Sequence, residues 1–283
     1  MKAWIGTGAL GALVDVEQAR ISAFDHGFTV GDGIFETMKV RQGRVFLWAW
    51  HLERLHASAR AMDLHLPDDD LLTHVVHDVV QANASELGDL GRVRLTISAG
   101  VGPLGSARDA VEPTVTCAAS AMEPRRGPAA VAVVAWPRNE RSPLAGVKST
   151  SYAENVLALA RAVRDGASEA LFFNTRDELC EGTGSNVFIV RSGRVLTPPT
   201  SAGLLAGVTR RLVLGLSNAS LAIEEATIQR AAFEAADEVF LTSTFQDVRV
   251  VQRVDGRTIG TGPITAELQR RFAAEAQLDR HWT

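Results

Sequence analysis

The stretch Ser142-Pro143-Leu144-Ala145-Gly146-Val147-Lys148-Ser149-Thr150-Ser151 holds the residue on which the reading of this chain turns. Lys148 is one of only three lysines, with Lys2 and Lys39, among 29 basic residues; arginine supplies the rest. A solvated surface charge needs no particular cation, so an arginine-biased chain can drop lysine there. It cannot do so where a primary amine must attack a carbonyl carbon, because guanidinium stays protonated. The setting is pointed too: a Pro/Gly-containing approach precedes Lys148, and small hydroxyls and a helical pattern follow it. On this stretch alone, a retained nucleophile and a chance survivor of arginine bias both stand.

Working outward, the pattern after Lys148 predicts a helix over Ser151–Asp165, with hydroxyl caps at its start and Gly166 past its end. Strands are expected at Ala130–Trp136, Glu169–Asn174, Asn186–Val190 and Val195–Thr197, near Ile223, and at Glu238–Leu241 and Val248–Val254. A helix opens at Gly207-Val208-Thr209, and another covers Ile264–Ala276. Toward the N-terminus, Lys2–Ile5 turns back through Gly11–Val16 as a hairpin. Ile34–Val40 and Arg44–Trp48 flank a turn at Arg41-Gln42-Gly43. Helices follow at Ala49–Asp63, with Leu52, Leu55, Ala59 and Met62 as its apolar stripe, and at Asp68–Asn83; then come strands Val93–Ser98 and Thr114–Ala118. Two prolines and a glycine within Glu123–Pro128 cannot extend a strand or helix, so 123–128 reads as a linker between domains 1–122 and 129–283. The class is α+β, with no internal repeat.

Hydrophobic content of 46% with 22% charged residues fits a globular chain, and net charge −4 gives no basic footprint for nucleic acid. Cys117 and Cys180 are too few for a disulfide framework and lack metal-ligand spacing, which points to a reducing, cytoplasmic setting. The apolar run Ala3–Val14 is broken by Gly6, Thr7, Gly8 and Gly11, favouring a hairpin over a signal peptide. No run is long enough to span a bilayer.

Four clusters suit chemistry. Glu181-Gly182-Thr183-Gly184-Ser185-Asn186 offers a close backbone approach, hydroxyls and an amide, or is a plain loop. Gly207-Val208-Thr209-Arg210 at a helix start is a ready anion site. Leu241-Thr242-Ser243-Thr244 ends a strand with three hydroxyls, which bind phosphate oxygens or make local turns. Arg54, between Leu52 and Leu55, either snorkels to solvent or holds an anion. Two motifs mislead. Gly100–Gly105 matches a dinucleotide fingerprint, but no helix pattern follows it. His74 and His77 have helical spacing but no expected acidic partner and read as surface residues; no metal site is expected.

Taken with Phe24-Asp25-His26-Gly27-Phe28, Gly31-Asp32-Gly33-Ile34-Phe35-Glu36-Thr37 and His51-Leu52-Glu53-Arg54-Leu55, these blocks resemble, in order, the class IV (fold type IV) pyridoxal-phosphate enzymes. That family includes aminodeoxychorismate lyase and the D-amino acid and branched-chain aminotransferases. The resemblance implies a two-domain, D-amino acid aminotransferase-like fold, with a small α/β N-terminal domain and a larger C-terminal domain with a β-barrel-like core. It implies pyridoxal 5'-phosphate as cofactor and a homodimer acting on a small-molecule substrate. It makes Lys148 the covalent cofactor lysine and puts Glu181 on the pyridine nitrogen. Arg54, Val208, Thr209 and Thr244 take the phosphate, with Thr183, Ser185 and Ser243 behind them. Phe35, Thr37, Arg94 and Tyr152 are expected at the substrate pocket, Tyr152 either facing it or packing at the helix start.

Within the family, Gly31–Thr37 is similar to the lyase and D-amino acid enzymes, and no cation clamp for a substrate carboxylate is evident unless Arg94 points inward. The reading is therefore aminodeoxychorismate lyase of folate biosynthesis. Lys148 removes the C4 proton, enolpyruvate leaves from C3 and becomes pyruvate, and 4-aminobenzoate is released. A class IV transaminase, or a cofactor-binding protein without turnover, are the alternatives.

Overall fold

The computed structural model describes residues 1–109, 112–123 and 127–283. It forms two compact units. The first comprises Met1–Glu123, Val147–Tyr152 and Asp279–Thr283; the second comprises Pro124–Gly146 and Ala153–Leu278. Of the expected linker, 124–126 lie outside the described residues.

The first unit contains β1 (Lys2–Thr7), β2 (Leu10–Asp15), α1 (His26–Thr29), β3 (Gly33–Arg41), β4 (Arg44–Val45), α2 (Trp48–Ala61), α3 (Asp69–Ala82), α4 (Ala84–Leu87), β5 (Leu90–Ser98) and β6 (Thr114–Ala121). Its strands form one antiparallel sheet in the order β2-β1-β6-β5-β3-β4. The hairpin expected at the N-terminus is β1–β2. The turn between β3 and β4 has positive φ at both Gln42 and Gly43, the twist that a tight hairpin needs. The expected strand Arg44–Trp48 stops at Val45, because Leu47 takes a left-handed conformation (φ 55°) and Trp48 starts α2.

Strand alternation then sorts the chemistry. β3 pairs with β5 so that Glu36 stands opposite Leu95 and Met38 opposite Val93. Ile34, Glu36, Met38 and Val40 therefore share the face that packs with Leu55, Val76 and Val79 of the helices. Phe35 and Thr37 share the other face with Thr96 and Arg94.

The sequence pattern puts Val147–Tyr152 and Asp279–Thr283 in the second domain; both cluster with the first unit instead. The reason is backbone pairing. Phe35 N–H donates to Lys148 C=O at 3.0 Å, Thr150 N–H to Gly33 C=O at 2.7 Å, and Ile34 bridges Ser149. The tail does the same at β4, where Val45 and Thr283 exchange hydrogen bonds at 2.7 and 3.0 Å.

The second unit contains β7 (Ala129–Val133), α5 (Ala153–Arg164), β8 (Glu169–Phe173), β9 (Leu179–Gly182), β10 (Asn186–Arg191), β11 (Arg194–Thr197), α6 (Val208–Leu214), β12 (Ile223–Glu225), α7 (Arg230–Glu234), β13 (Glu238–Ser243), β14 (Asp247–Val254), β15 (Arg257–Thr258) and α8 (Pro263–Glu275). Its sheet runs β12-β11-β10-β13-β14-β7-β8-β9, with β15 beside β14. It is a curled half-barrel, with β9 at the end of the path leading straight back to β10 through Thr183–Ser185. β7 stops at Val133 rather than Trp136, and Pro137 cannot donate to a ladder. Glu181 and Gly182, expected in a loop, belong to β9. That strand is too short to show an alternating pattern, and Gly182 pairs with Leu171 of β8.

Candidate active site

In the first unit, four of the expected residues meet around one ring. Lys148 Nζ lies 4.4 Å from the centroid of Phe35, the Arg94 guanidinium carbon lies 3.6 Å from it, and Tyr152 packs on it edge-on at 5.5 Å. Thr37 stands directly across from Arg94 in the β3–β5 register. The Arg94 guanidinium lies on the ring, while the residue as a whole stays open to solvent. Packing lowers its pKa and the Tyr152 phenol opposes that, but an arginine remains a cation near neutrality. Its Nε donates to Thr96 Oγ1 at 3.2 Å, and among the described residues no carboxylate pairs with it. Tyr152 faces this cluster.

Arg54 does not snorkel. Its Nε donates to Glu36 Oε1 at 2.8 Å and its Nη2 to Glu36 Oε2 at 2.6 Å, and only 12% of its side chain is exposed. His51 Nδ1 shares Oε2 at 2.6 Å. Burial alone would raise the Glu36 pKa, but the charges and hydrogen bonds of Arg54 and His51 outweigh it and hold the carboxyl at about 2. His51 is pushed below its ordinary value, chiefly by burial, with Glu36 opposing and the Arg54 and Lys148 charges adding to the shift. Sequence reasoning misses Glu36 and His51 as site residues. The signal for Glu36 is a carboxylate in the core phase of the alternation Ile34-Glu36-Met38-Val40.

In the second unit, the remaining candidates gather at one end of the sheet. Asn186 opens β10 opposite Thr242 of β13, so Ser185 and Ser243 lie next to neighbouring strand positions. The start of α6 abuts them: a β-carbon added to Gly207 would come within 2.0 Å of Asn186 Oδ1. Gly207 at the N-cap supplies no side-chain cap to the first-turn N–H groups at Val208 and Thr209. Glu181 joins the group through its Oε2, which accepts Leu205 N–H at 3.0 Å, just ahead of that helix; Arg138 Nη2 lies 3.9 Å from Oε1. Thr244 follows β13, and Ser243 Oγ accepts Gln246 N–H at 3.2 Å.

Thr183 and Ser185 are placed differently from expectation. Both hydroxyls donate to Glu169, a buried carboxylate on β8; Thr183 N–H also donates to it at 3.1 Å and Ser185 Oγ at 2.9 Å. They brace the β9–β10 turn. A glutamate inside an apolar strand is the sequence signal for this arrangement.

Burial raises both cysteine thiols, and the Glu181 charge raises Cys180 further, which disfavours the thiolate form. Among the described residues no His/Cys/Asp/Glu cluster is set to hold a metal. His74 has an acidic partner after all, Asp78 at 3.3 Å, and His77 is half-buried rather than at the surface.

Comparisons with known proteins identify the family. The family model for amino-transferase class IV matches residues 33–254. A Methanocaldococcus jannaschii protein assigned as a branched-chain-amino-acid aminotransferase is 34% identical over 273 residues, covering 93% of each chain. The aminodeoxychorismate lyase of Bacillus subtilis is 28% identical over 272 residues, covering 94% of this chain and 92% of its own. The structure of a hypothetical aminotransferase from Mycobacterium tuberculosis in its PLP-bound form superposes with a TM-score of 0.86 at 28% identity, covering 97% of this chain and 99% of that one. The chain is a fold type IV enzyme and belongs to the class IV aminotransferases, which work with pyridoxal phosphate.

Proposed function

We propose that this enzyme is a transaminase of the branched-chain or D-amino acid type, with Lys148 as the covalent cofactor lysine and Arg94 as the cation that holds a substrate carboxylate. The observation that carries this reading is the placement of Arg94 on Phe35, beside Lys148 and Tyr152. The sequence favours the lyase on the Gly31–Thr37 resemblance and for want of such a cation. A bidentate guanidinium open to solvent is a good carboxylate receptor. The identity with the Methanocaldococcus protein supports the same reading.

The donor set fits pyridoxal phosphate. We assign its phosphate to Arg54, Val208, Thr209 and Thr244, with Thr183, Ser185 and Ser243 supporting that loop end, and its ring nitrogen to Glu181. The uncapped start of α6 suits a dianion. When bound, the cofactor supplies an electron sink for charge developing at the substrate α-carbon. The protein does the rest: Arg94 fixes the carboxylate, Phe35 and Tyr152 shape an apolar wall, and Lys148 Nζ takes the proton from that carbon. A positioned base contributes about 10²–10⁴-fold.

The lyase remains the second reading, supported by the identity with the Bacillus enzyme. One experiment separates them. A transaminase loses its yellow colour with L-leucine, D-alanine or L-glutamate and regains it with a keto acid. A lyase gives pyruvate and 4-aminobenzoate from aminodeoxychorismate with no acceptor and does not bleach.

We also infer a homodimer. Phe28 and Leu104 in the first unit, and Val156 and Leu157 on α5 of the second, are large apolar residues mostly exposed in the single chain, so each unit carries apolar side chains that call for cover. A monomer in light scattering at full activity would refute it. Two free, buried thiols suit a cytoplasmic setting, and among the described residues no helix is long and apolar enough to cross a membrane.

A further inference from the structure

Arg138 follows β7 and is anchored by its own backbone, which donates to Phe173 C=O at 2.8 Å. Its guanidinium carbon sits 4.0 Å above the Phe172 ring. Nη1 donates to Glu154 Oε2 at 2.6 Å and to Asn155 Oδ1 at 3.0 Å, and Nη2 reaches the same Oδ1 at 3.0 Å. Nε is buried without a partner. An unsatisfied buried donor on a charged group is destabilising, so this cation is not explained by stability alone.

What the arrangement does achieve concerns Glu181. Nη2 stands 3.9 Å from Glu181 Oε1, too far for a hydrogen bond but close for an ionic contact. Asn155 provides a second route. While its Oδ1 takes both Arg138 nitrogens, its Nδ2 donates to Thr183 C=O at 2.6 Å, in the turn just past Glu181. On the far side, Leu205 N–H holds Oε2 at 3.0 Å. The backbone N–H of Leu205 and the Arg138 cation thus both reach the carboxylate, and the turn behind it is pinned by the same asparagine that aims the cation.

We propose that Arg138 and Asn155 are positioning residues for Glu181: Arg138 holds the carboxylate in its ionised form, and Asn155 fixes Arg138 and the Thr183 turn in register with it. This rests on the reading that Glu181 faces the cofactor's ring nitrogen, because the ionised carboxylate is what keeps that nitrogen protonated. The rival role is structural, a tie between the start of α5 and the sheet.

The test is a double-mutant cycle on the holoenzyme, read as the ratio of the absorbance bands of bound pyridoxal phosphate at fixed pH. Arg138→Leu is expected to move the ratio by about twofold or more in the same direction as Glu181→Gln, and to add nothing in the Glu181→Gln background. Asn155→Ala should move it the same way by less, and Arg138→Lys should restore part of the shift. Equal shifts in both backgrounds, or a lower melting temperature with an unchanged ratio, would overturn the proposal. If Arg138→Leu does not fold, Asn155→Ala distinguishes the same outcomes. If Glu181→Gln itself leaves the ratio unchanged, the ring-nitrogen reading has failed and the proposal falls with it, a result separate from additivity.

Discussion

Glu36 and Arg54 meet fork to fork, with both carboxylate oxygens engaged by two guanidinium nitrogens and the carboxylate wholly out of solvent. The pair fixes the plane of the arginine before any ligand arrives. Its first consequence is thermodynamic. Glu36→Ala would strand a largely buried cation, and breaking a buried pair in this way costs roughly 3–5 kcal/mol. Urea unfolding should show that loss.

Acid should attack the same triad in two stages. His51 has a lowered folded pKa, so its share of stability is present above the unfolded value of 6.5 and fails as pH falls below it. Glu36 drops from 4.5 to about 2 on folding, so its share is present above 4.5 and is lost between there and about 2. A shift of that size is worth about 3 kcal/mol. Stability measured from pH 7 to pH 3 should fall along both limbs, and Glu36→Gln should flatten the lower one.

Arg94→Leu should lower kcat/KM for amino acids by roughly tenfold to a hundredfold, the loss of one charge-assisted contact worth about 1.5–3 kcal/mol. Turnover of a primary amine lacking the carboxylate should change far less. Equal losses on both substrates would remove Arg94 from carboxylate recognition.

Borohydride reduction of the yellow enzyme should place the label on the peptide carrying Lys148. Lys148→Ala should still take up cofactor through the phosphate contacts, but without turnover. Label on Lys39, a buried lysine of β3, would redirect the chemistry.

Thr183→Val and Ser185→Ala should act through Glu169. Each leaves a buried carboxylate oxygen short of a donor, at about 1–3 kcal/mol. Thermal unfolding should register this, while cofactor affinity changes little. A large affinity loss with unchanged stability would mean that these hydroxyls reach the phosphate directly.

Much of this was legible in sequence because period and punctuation carry it. The helices around Leu55 and Val76, the β1–β2 hairpin and the α6 start at Gly207 fall where apolar spacing and glycine place them. Spacing alone does not gather Lys148, Phe35, Arg94 and Tyr152; the resemblance implied a pocket at Phe35, Thr37, Arg94 and Tyr152 but left the direction of Arg94 and Tyr152 open. The rest depended on partners distant in the chain. No local pattern says that Arg54 is claimed by Glu36, 18 residues earlier, that Thr183 and Ser185 answer to Glu169, or that Arg94 turns onto Phe35. Strand β9 was invisible because four residues are too few to show a period.

The tail at Asp279–Thr283 sets a timetable for biosynthesis. The first unit needs residues translated at three separate times, and its last pieces, the hydrogen bonds of Val45 and Leu47 to Thr283 and His281, come after the whole of the second unit has been made. The segment bearing Lys148 arrives midway, after the sheet it joins. On the ribosome, the N-terminal half must therefore wait with an open edge at β4, where chaperones can bind.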